Sequence, residues 1–243
     1  MLKIKNLSKH FGGVKAVDNC SFEIQKGKIT ALIGPNGSGK STLFNLVAGV
    51  LKQDNGKVIL DSEGITNFSI SKRVNKGISR IFQKSRLFGN LTIKENMLLA
   101  LETEDTKFWK SFFTRTKIHK EKEINEALSL VKMDIHTNKL ARNLSYGQKR
   151  LVEIVRAISM PHKILMLDEP VAGVTPALRK ELSDLLLKLK KKKDTVFIIE
   201  HDMNFVLNIA DEVIVMDEGR VIAQGKPTMI KKNKKVLEAY LGE

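Results

Sequence analysis

At 243 residues, with 42% hydrophobic and 28% charged residues, the chain can bury a substantial core and form one large domain or a core with a lobe. Cys20 is its one cysteine, which excludes an internal disulfide and leaves a buried structural thiol as the expected role. The net charge of +15 is nearly all lysine, with runs at 190–193 and 231–235; it fits a solvated surface or an electrostatic role at anionic lipid or nucleic acid, and decides neither. No apolar run approaches the ~18 residues a membrane span needs. The opening MLKIKNLSKHF lacks the apolar stretch of a signal peptide. A soluble chain is expected, reaching a membrane only through partners.

In chain order, the opening LKIKNLSKHF, the run CSFEI and residues 57–60 read as antiparallel strands beside a main sheet. ITALI at 29–33 reads as a buried strand, followed by a glycine-rich turn and a helix starting near Lys40. Residues from about 84 to 156 lack strong strand signals and read as helices, with a polar stretch at 102–123. No linker isolates them, so they are expected to form a helical lobe inserted into a core of 1–83 plus 157–243. Residues 163–167 and 195–199 read as two further buried strands. Between them, 175–193 reads as a helix: Thr175 can cap it, Pro176 suits its first turn, and Leu178, Leu182, Leu185, Leu186 and Leu189 line one face. Strands alternating with helices predict a mostly parallel sheet covered by helices.

The strongest chemical signal is GPNGSGKS at 34–41, the phosphate-binding pattern G-x-x-x-x-G-K-[ST] placed between a strand and a helix. Gly34, Gly37 and Gly39 let the backbone wrap so that the N–H groups around Asn36 and Ser38 point at phosphate oxygens. The helix N-terminus, continuing through Thr42, adds a favourable dipole. Lys40 would reach the β- and γ-phosphates of a nucleotide, and the Ser41 hydroxyl could bind Mg²⁺. A second signal is ILMLDE at 164–169, an apolar strand ending in two acids at the carboxyl edge of the sheet. Asp168 would hold Mg²⁺, and Glu169 would orient or deprotonate an attacking water. In LSYGQ, at 144–148, Ser145 can cap a helix whose N-terminus could bind an anion.

LSYGQ resembles the signature sequence of ATP-binding-cassette (ABC) ATPases, usually LSGGQ, and it lies just upstream of the Asp-Glu strand, as in that family. The resemblance covers essentially the whole chain. It implies an α/β P-loop core with a mostly parallel sheet, an antiparallel β subdomain and an inserted α-helical lobe. It also implies ATP and Mg²⁺ as ligands, with further roles for single residues. Gln83 in RIFQ resembles the glutamine that links the active site to the lobe and contacts Mg²⁺ or water. His201 resembles the histidine that senses the γ-phosphate. Phe11 stands in the place of the aromatic that stacks on adenine, with Val17 near it.

The family works as a nucleotide-sandwich dimer. Ser145, Gly147 and Gln148 would therefore face ATP bound by a second ABC subunit, either the same chain or a paralogue. Tyr146, RLFGNLTIKEN at 86–96, IEHDMNFV at 199–206 and the ending AYLGE resemble the ATP-binding subunits of branched-chain amino acid importers. That resemblance implies a place on the cytoplasmic face of the inner membrane, beside integral membrane permease subunits and, indirectly, a substrate-binding protein. Residues 83–90 and the aromatics Phe108, Trp109, Phe112 and Phe113 are candidates for the permease contact. The alternatives are a lipopolysaccharide-export ATPase, a soluble ABC ATPase acting on nucleic acid or ribosomes, and a nucleotide-binding regulator without turnover; no nucleic acid partner is expected. Where the family has Asn or Asp before Pro176, this chain has Thr175.

Overall fold

The structure, a computed structural model, describes residues 1–81, 87–101 and 114–241. They divide into two compact units, Met1–Arg80 with His162–Pro170 and Leu186–Glu243, and Ile81–Pro161 with Val171–Leu185. The second unit thus includes a stretch after Pro170 that the sequence reading places in the core.

In chain order the elements are β1 (Leu2–Phe11), β2 (Val14–Ile24), β3 (Ile29–Ile33), α1 (Lys40–Ala48), β4 (Asn55–Leu60), β5 (Glu63–Gly64), α2 (Ile70–Asn75) and β6 (Ile78–Ile81). Three α-helices follow among the described residues, α3 (Ile93–Leu101), α4 (Thr114–Ser129) and α5 (Tyr146–Ser159). The chain continues with β7 (Ile164–Asp168), α6 (Pro176–Lys191), β8 (Val196–Ile199), α7 (Met203–Ile209), β9 (Glu212–Asp217), β10 (Arg220–Gly225), α8 (Pro227–Ile230) and α9 (Lys234–Leu241).

Two sheets organise the first unit. One is antiparallel, in the order β2-β1-β4-β5; the other runs β10-β9-β3-β8-β7-β6. β3 pairs in parallel with β8 and β9, β7 pairs in parallel with β8, and β10 returns antiparallel on β9. All five residues of β3 are buried, which its unbroken run of apolar side chains and Thr30 requires of a central strand covered on both faces. The core joins the two sheets through aromatic contacts. The Phe197 ring of β8 lies 6.1 Å from Phe22 of β2 and 5.1 Å from Phe44 of α1. Each such ring contributes roughly 2–3 kcal/mol by burial.

The expected strands at 2–11, 29–33, 57–60, 163–167 and 195–199, and the helix expected at 175–193, form within a residue or two of their expected bounds, whereas the strand expected over CSFEI begins six residues earlier, at Val14. Strands β5, β6, β9 and β10 add to them. Cys20 is buried, and its surroundings push the thiol up to about 11. In the second unit, wholly buried Asn96 shapes the turn before α3: its amide nitrogen donates to the Phe88 and Thr92 carbonyls, and its oxygen accepts from Phe88 N–H. No helix among the described residues is long and apolar enough to cross a membrane.

Arg73, only 1% exposed, closes the far end of the phosphate-loop helix. It donates to the carbonyls of Leu46 and Val47 in the last turn of α1 at 2.7 and 2.6 Å, and to those of Thr66 and Phe68 at 2.7 and 3.2 Å. A cation there also meets the negative end of the helix dipole. Burial lowers its pKa to about 10, so it stays charged at neutral pH. Arg73→Met strands several buried carbonyls and is expected to cost about 3 kcal/mol in urea denaturation. An unchanged midpoint would refute this role.

Candidate functional site

The phosphate loop is built by backbone crowding. At Gly34 (φ 152°) an added Cβ would collide with the Met216 carbonyl, and at Gly39 (φ 98°) with the Ala16 carbonyl. Only glycine fits where backbone meets backbone this closely. Gly39 is also the N-cap of α1, so no side chain caps that helix, and no acidic residue occupies its first turn. This helix start offers N–H groups and a positive dipole end to an anion. The loop lies between elements of both sheets. Gly219 donates its N–H to the Ser38 carbonyl at 3.0 Å, and its own carbonyl accepts from Asp18 N–H of β2 at 2.8 Å.

The hairpin joining β9 and β10 turns through Glu218 (φ 44°) and Gly219 (φ 77°), the left-handed pair that a tight two-residue turn demands. Arg220 anchors this turn to β2 by donating two hydrogen bonds to Asp18 Oδ2, at 3.0 and 2.7 Å. The guanidinium holds the Asp18 carboxyl below its usual range. The buried Cys20 thiol donates to the Gly219 carbonyl from the same side.

Above the loop opens a cleft of about 430 Å³, lined by Val14, Lys15, Ala16, Asn36, Gly37, Gly39, Lys40, Ser41, Thr42, Glu169, Glu218 and Gly219. Lys40 is buried, its ammonium donating to the carbonyls of Gly34 and Pro35 at 2.8 and 2.7 Å. Asp168 ends β7 opposite Ile199 of β8, and Glu169 donates its N–H to the Ile199 carbonyl at 3.1 Å. Glu169 stands at φ 44°, a conformation costing a non-glycine residue roughly 1 kcal/mol, and it faces the cleft. His201 follows two residues after Ile199 and is exposed. Ser41 and Asp168 offer hard oxygen donors that suit Mg²⁺.

The residues expected around the base are less uniform. Phe11 is 47% exposed, with the Lys9 ammonium 5.5 Å from its ring centroid. Val17 is wholly buried in the core, so its side chain has no face toward a ligand. Lys15 and Ala16 line the cleft instead, together with Glu218 and Gly219, none of which carries a sequence motif. The E-G pair between two apolar runs is a hairpin signal, yet nothing local to it says that the turn packs on the phosphate loop.

In the second unit, Ser145 caps α5 reciprocally with Gln148. The Ser145 hydroxyl accepts from Gln148 N–H, and the Gln148 side-chain oxygen accepts from Ser145 N–H. Gly147 packs so closely on Leu178 that a Cβ would strike the leucine side chain. Tyr146 stands exposed beside them. The Thr175 hydroxyl accepts from Leu178 N–H at 3.4 Å, so the helix start tolerates the departure at that position. Gln83 and the aromatics Phe108, Trp109, Phe112 and Phe113 lie outside the described residues.

A strand–glycine loop–helix cradle beside two strand-end carboxylates defines a P-loop nucleotide-binding protein. Comparison with known proteins refines that class. Residues 17–172 match the ABC transporter family, and residues 220–243 match the branched-chain amino acid ATP-binding cassette transporter family. A probable branched-chain amino acid transport ATP-binding protein, LivG, of Archaeoglobus fulgidus is 39% identical over 245 residues, covering all of this chain and 95% of the relative. Among solved structures, an ABC transporter cassette in its ADP conformation is 37% identical, with a TM-score of 0.86 over all of this chain and 99% of its own. A dimeric cassette in a post-hydrolysis state, bound to ADP and Pi, is 26% identical, with a TM-score of 0.79 over 93% of this chain and 99% of its own. The chain belongs to the ATP-binding subunits of ABC transporters, a family that hydrolyses ATP to power transport.

Because Gly219 touches both the loop and β2, with the Lys15 carbonyl where a Cβ would go, Gly219→Ala should weaken ATP binding about tenfold or more while circular dichroism stays native. Undiminished ATP affinity, measured calorimetrically, would remove the turn from the site.

Proposed function

We propose that this chain powers the import of branched-chain or related amino acids from the cytoplasmic face of a membrane, docked on permease subunits that a substrate-binding protein feeds. The observation that carries the ATP-driven part is the phosphate loop, whose shape is enforced by backbone contacts at Gly34 and Gly39. The match of the final residues, 220–243, to the branched-chain amino acid cassette family supports the cargo class over lipopolysaccharide export or a nucleic acid substrate.

In this reading, Lys40 exchanges its carbonyl partners for the β- and γ-phosphate oxygens of ATP, and N–H groups at the start of α1 take the remaining phosphate charge. Ser41 and Asp168 would hold Mg²⁺, which would supply positive charge to offset the charge of the triphosphate. Glu169 orients the attacking water and accepts its proton, and His201 donates toward the γ-phosphate. Gln83 would contribute its side-chain amide to the Mg²⁺ or to water. Phe11 offers a face to adenine. Two cassettes close around two nucleotides, with Ser145 and Gly147 of each meeting ATP held by the other. Release of the γ-phosphate removes what held the halves together. The dimeric post-hydrolysis relative bound to ADP and Pi supports that arrangement.

Glu169→Gln should leave ATP affinity within a fewfold of the parent while lowering phosphate release by about 10²–10⁴-fold, the usual worth of a general base. Uptake of labelled leucine by cells relying on that variant should fall with it. Full phosphate release would remove Glu169 from the catalytic role.

A further inference from the structure

We propose that Arg80 is a positioning residue for the metal: it grips Asp168 from the side of β6 and fixes the carboxylate relative to the phosphate-loop helix. The inference rests on the reading of Asp168 as a Mg²⁺-holding carboxylate. Arg80 Nη2 donates to Asp168 Oδ2 at 3.1 Å, and Nη1 donates to Asn45 Oδ1 at 2.6 Å. The guanidinium lies 5.1 Å from the Phe44 ring centroid, and that ring is itself locked against Phe197. The side chains of Arg80 and Asp168 are only 9% and 13% exposed.

Stability alone does not explain such a pair. Burying an arginine and a carboxylate together contributes little net, because desolvation offsets the attraction, and an apolar residue of similar size would pack as well against Phe44. What a planar fork adds is direction. Asp168 is the last residue of its strand, where a carboxylate left to itself would sample several orientations. Arg80 takes one oxygen along a fixed line. Asn45, in turn, sits on α1 four residues after Ser41, the other candidate metal ligand. The chain Asn45–Arg80–Asp168 therefore ties the strand bearing one metal oxygen to the helix bearing the other. Groups that orient metal ligands in this way typically change metal affinity 10–100-fold when removed.

Mn²⁺ serves as the probe, titrated by electron paramagnetic resonance into the ADP complex of the intact chain, alongside calorimetric ADP affinity in chelator. Arg80→Met should weaken Mn²⁺ binding 10–100-fold and leave metal-free ADP affinity within about twofold. Arg80→Lys, which keeps the charge but cannot reach both partners as a fork, should fall between. Asn45→Ala should weaken Mn²⁺ binding in the same direction, and adding it to Arg80→Met should produce little further loss, because both act through one contact chain. Asp168→Asn separates the two layers of the argument. If it weakens Mn²⁺ binding while Arg80→Met and Arg80→Lys leave it unchanged or tighter, the positioning role is overturned and the metal reading stands. If Asp168→Asn itself leaves Mn²⁺ binding intact, the metal reading fails first. Should Arg80→Met not fold, the lysine and Asn45→Ala variants carry the same comparison.

Discussion

Everything at this site depends on how closely backbone is allowed to approach backbone around residues 34–39. The carbonyls of Met216 and Ala16 press on the loop where a side chain would otherwise stand, from β9 on one side and β2 on the other. The Ser38 carbonyl is tied to Gly219 N–H across the same gap. The loop is therefore held by the two sheets before any ligand arrives. A preformed cradle spares a nucleotide the entropy of ordering the loop, roughly 1–2 kcal/mol per backbone residue otherwise fixed on binding.

That dependence sets what could be read in advance. Gly34, Gly37, Gly39, Lys40 and Ser41 are legible because their chemistry is local: a turn, a helix start and a phosphate pattern occupy eight consecutive residues. Asp168 and Glu169 are legible because an apolar strand ending in acids has few bland explanations once the loop is known. The strand at 29–33 and the helix after Thr175 announce themselves by periodicity and capping. By contrast, Lys15, Ala16, Glu218 and Gly219 reach the cleft only through pairing between distant segments. The Asp18–Arg220 clamp spans 202 positions, and no local pattern encodes it. Val17 shows the opposite error, since a position near the adenine-stacking place in a motif can point inward when the strand's alternation puts it there.

The same contrast explains the buried cations. A count of charges left the lysine excess open, but the interior positive groups have separate duties. Arg73 caps the end of α1, while Lys40 lies near its start on carbonyls of its own loop. Arg80 bridges that helix to β7. Surface pairs such as Lys76–Glu63 and Lys163–Asp61 are exposed enough that each contributes about 1 kcal/mol or less. Three of the interior positive groups thus surround one helix, while Arg150, 3% exposed, lies beside Glu153 in the second unit.

Lys40 shows why this arrangement suits turnover. Its ammonium already donates to the carbonyls of Gly34 and Pro35 and to the Ser38 hydroxyl, so meeting a phosphate would exchange partners and would not release an unsatisfied charge. Net affinity from that contact is correspondingly modest. The cost of giving up those carbonyls is the same for ATP and for ADP, so what separates the two nucleotides is the contact Lys40 would make with the γ-phosphate. Glu169 acts in the same sense. Its left-handed backbone stores roughly 1 kcal/mol and is held by the hydrogen bond to Ile199, so its carboxylate reaches the cleft without waiting for the ligand to pull it there. Binding energy is then left for what differs between triphosphate and diphosphate, the γ-phosphate, and that difference is the one a transport cycle can use.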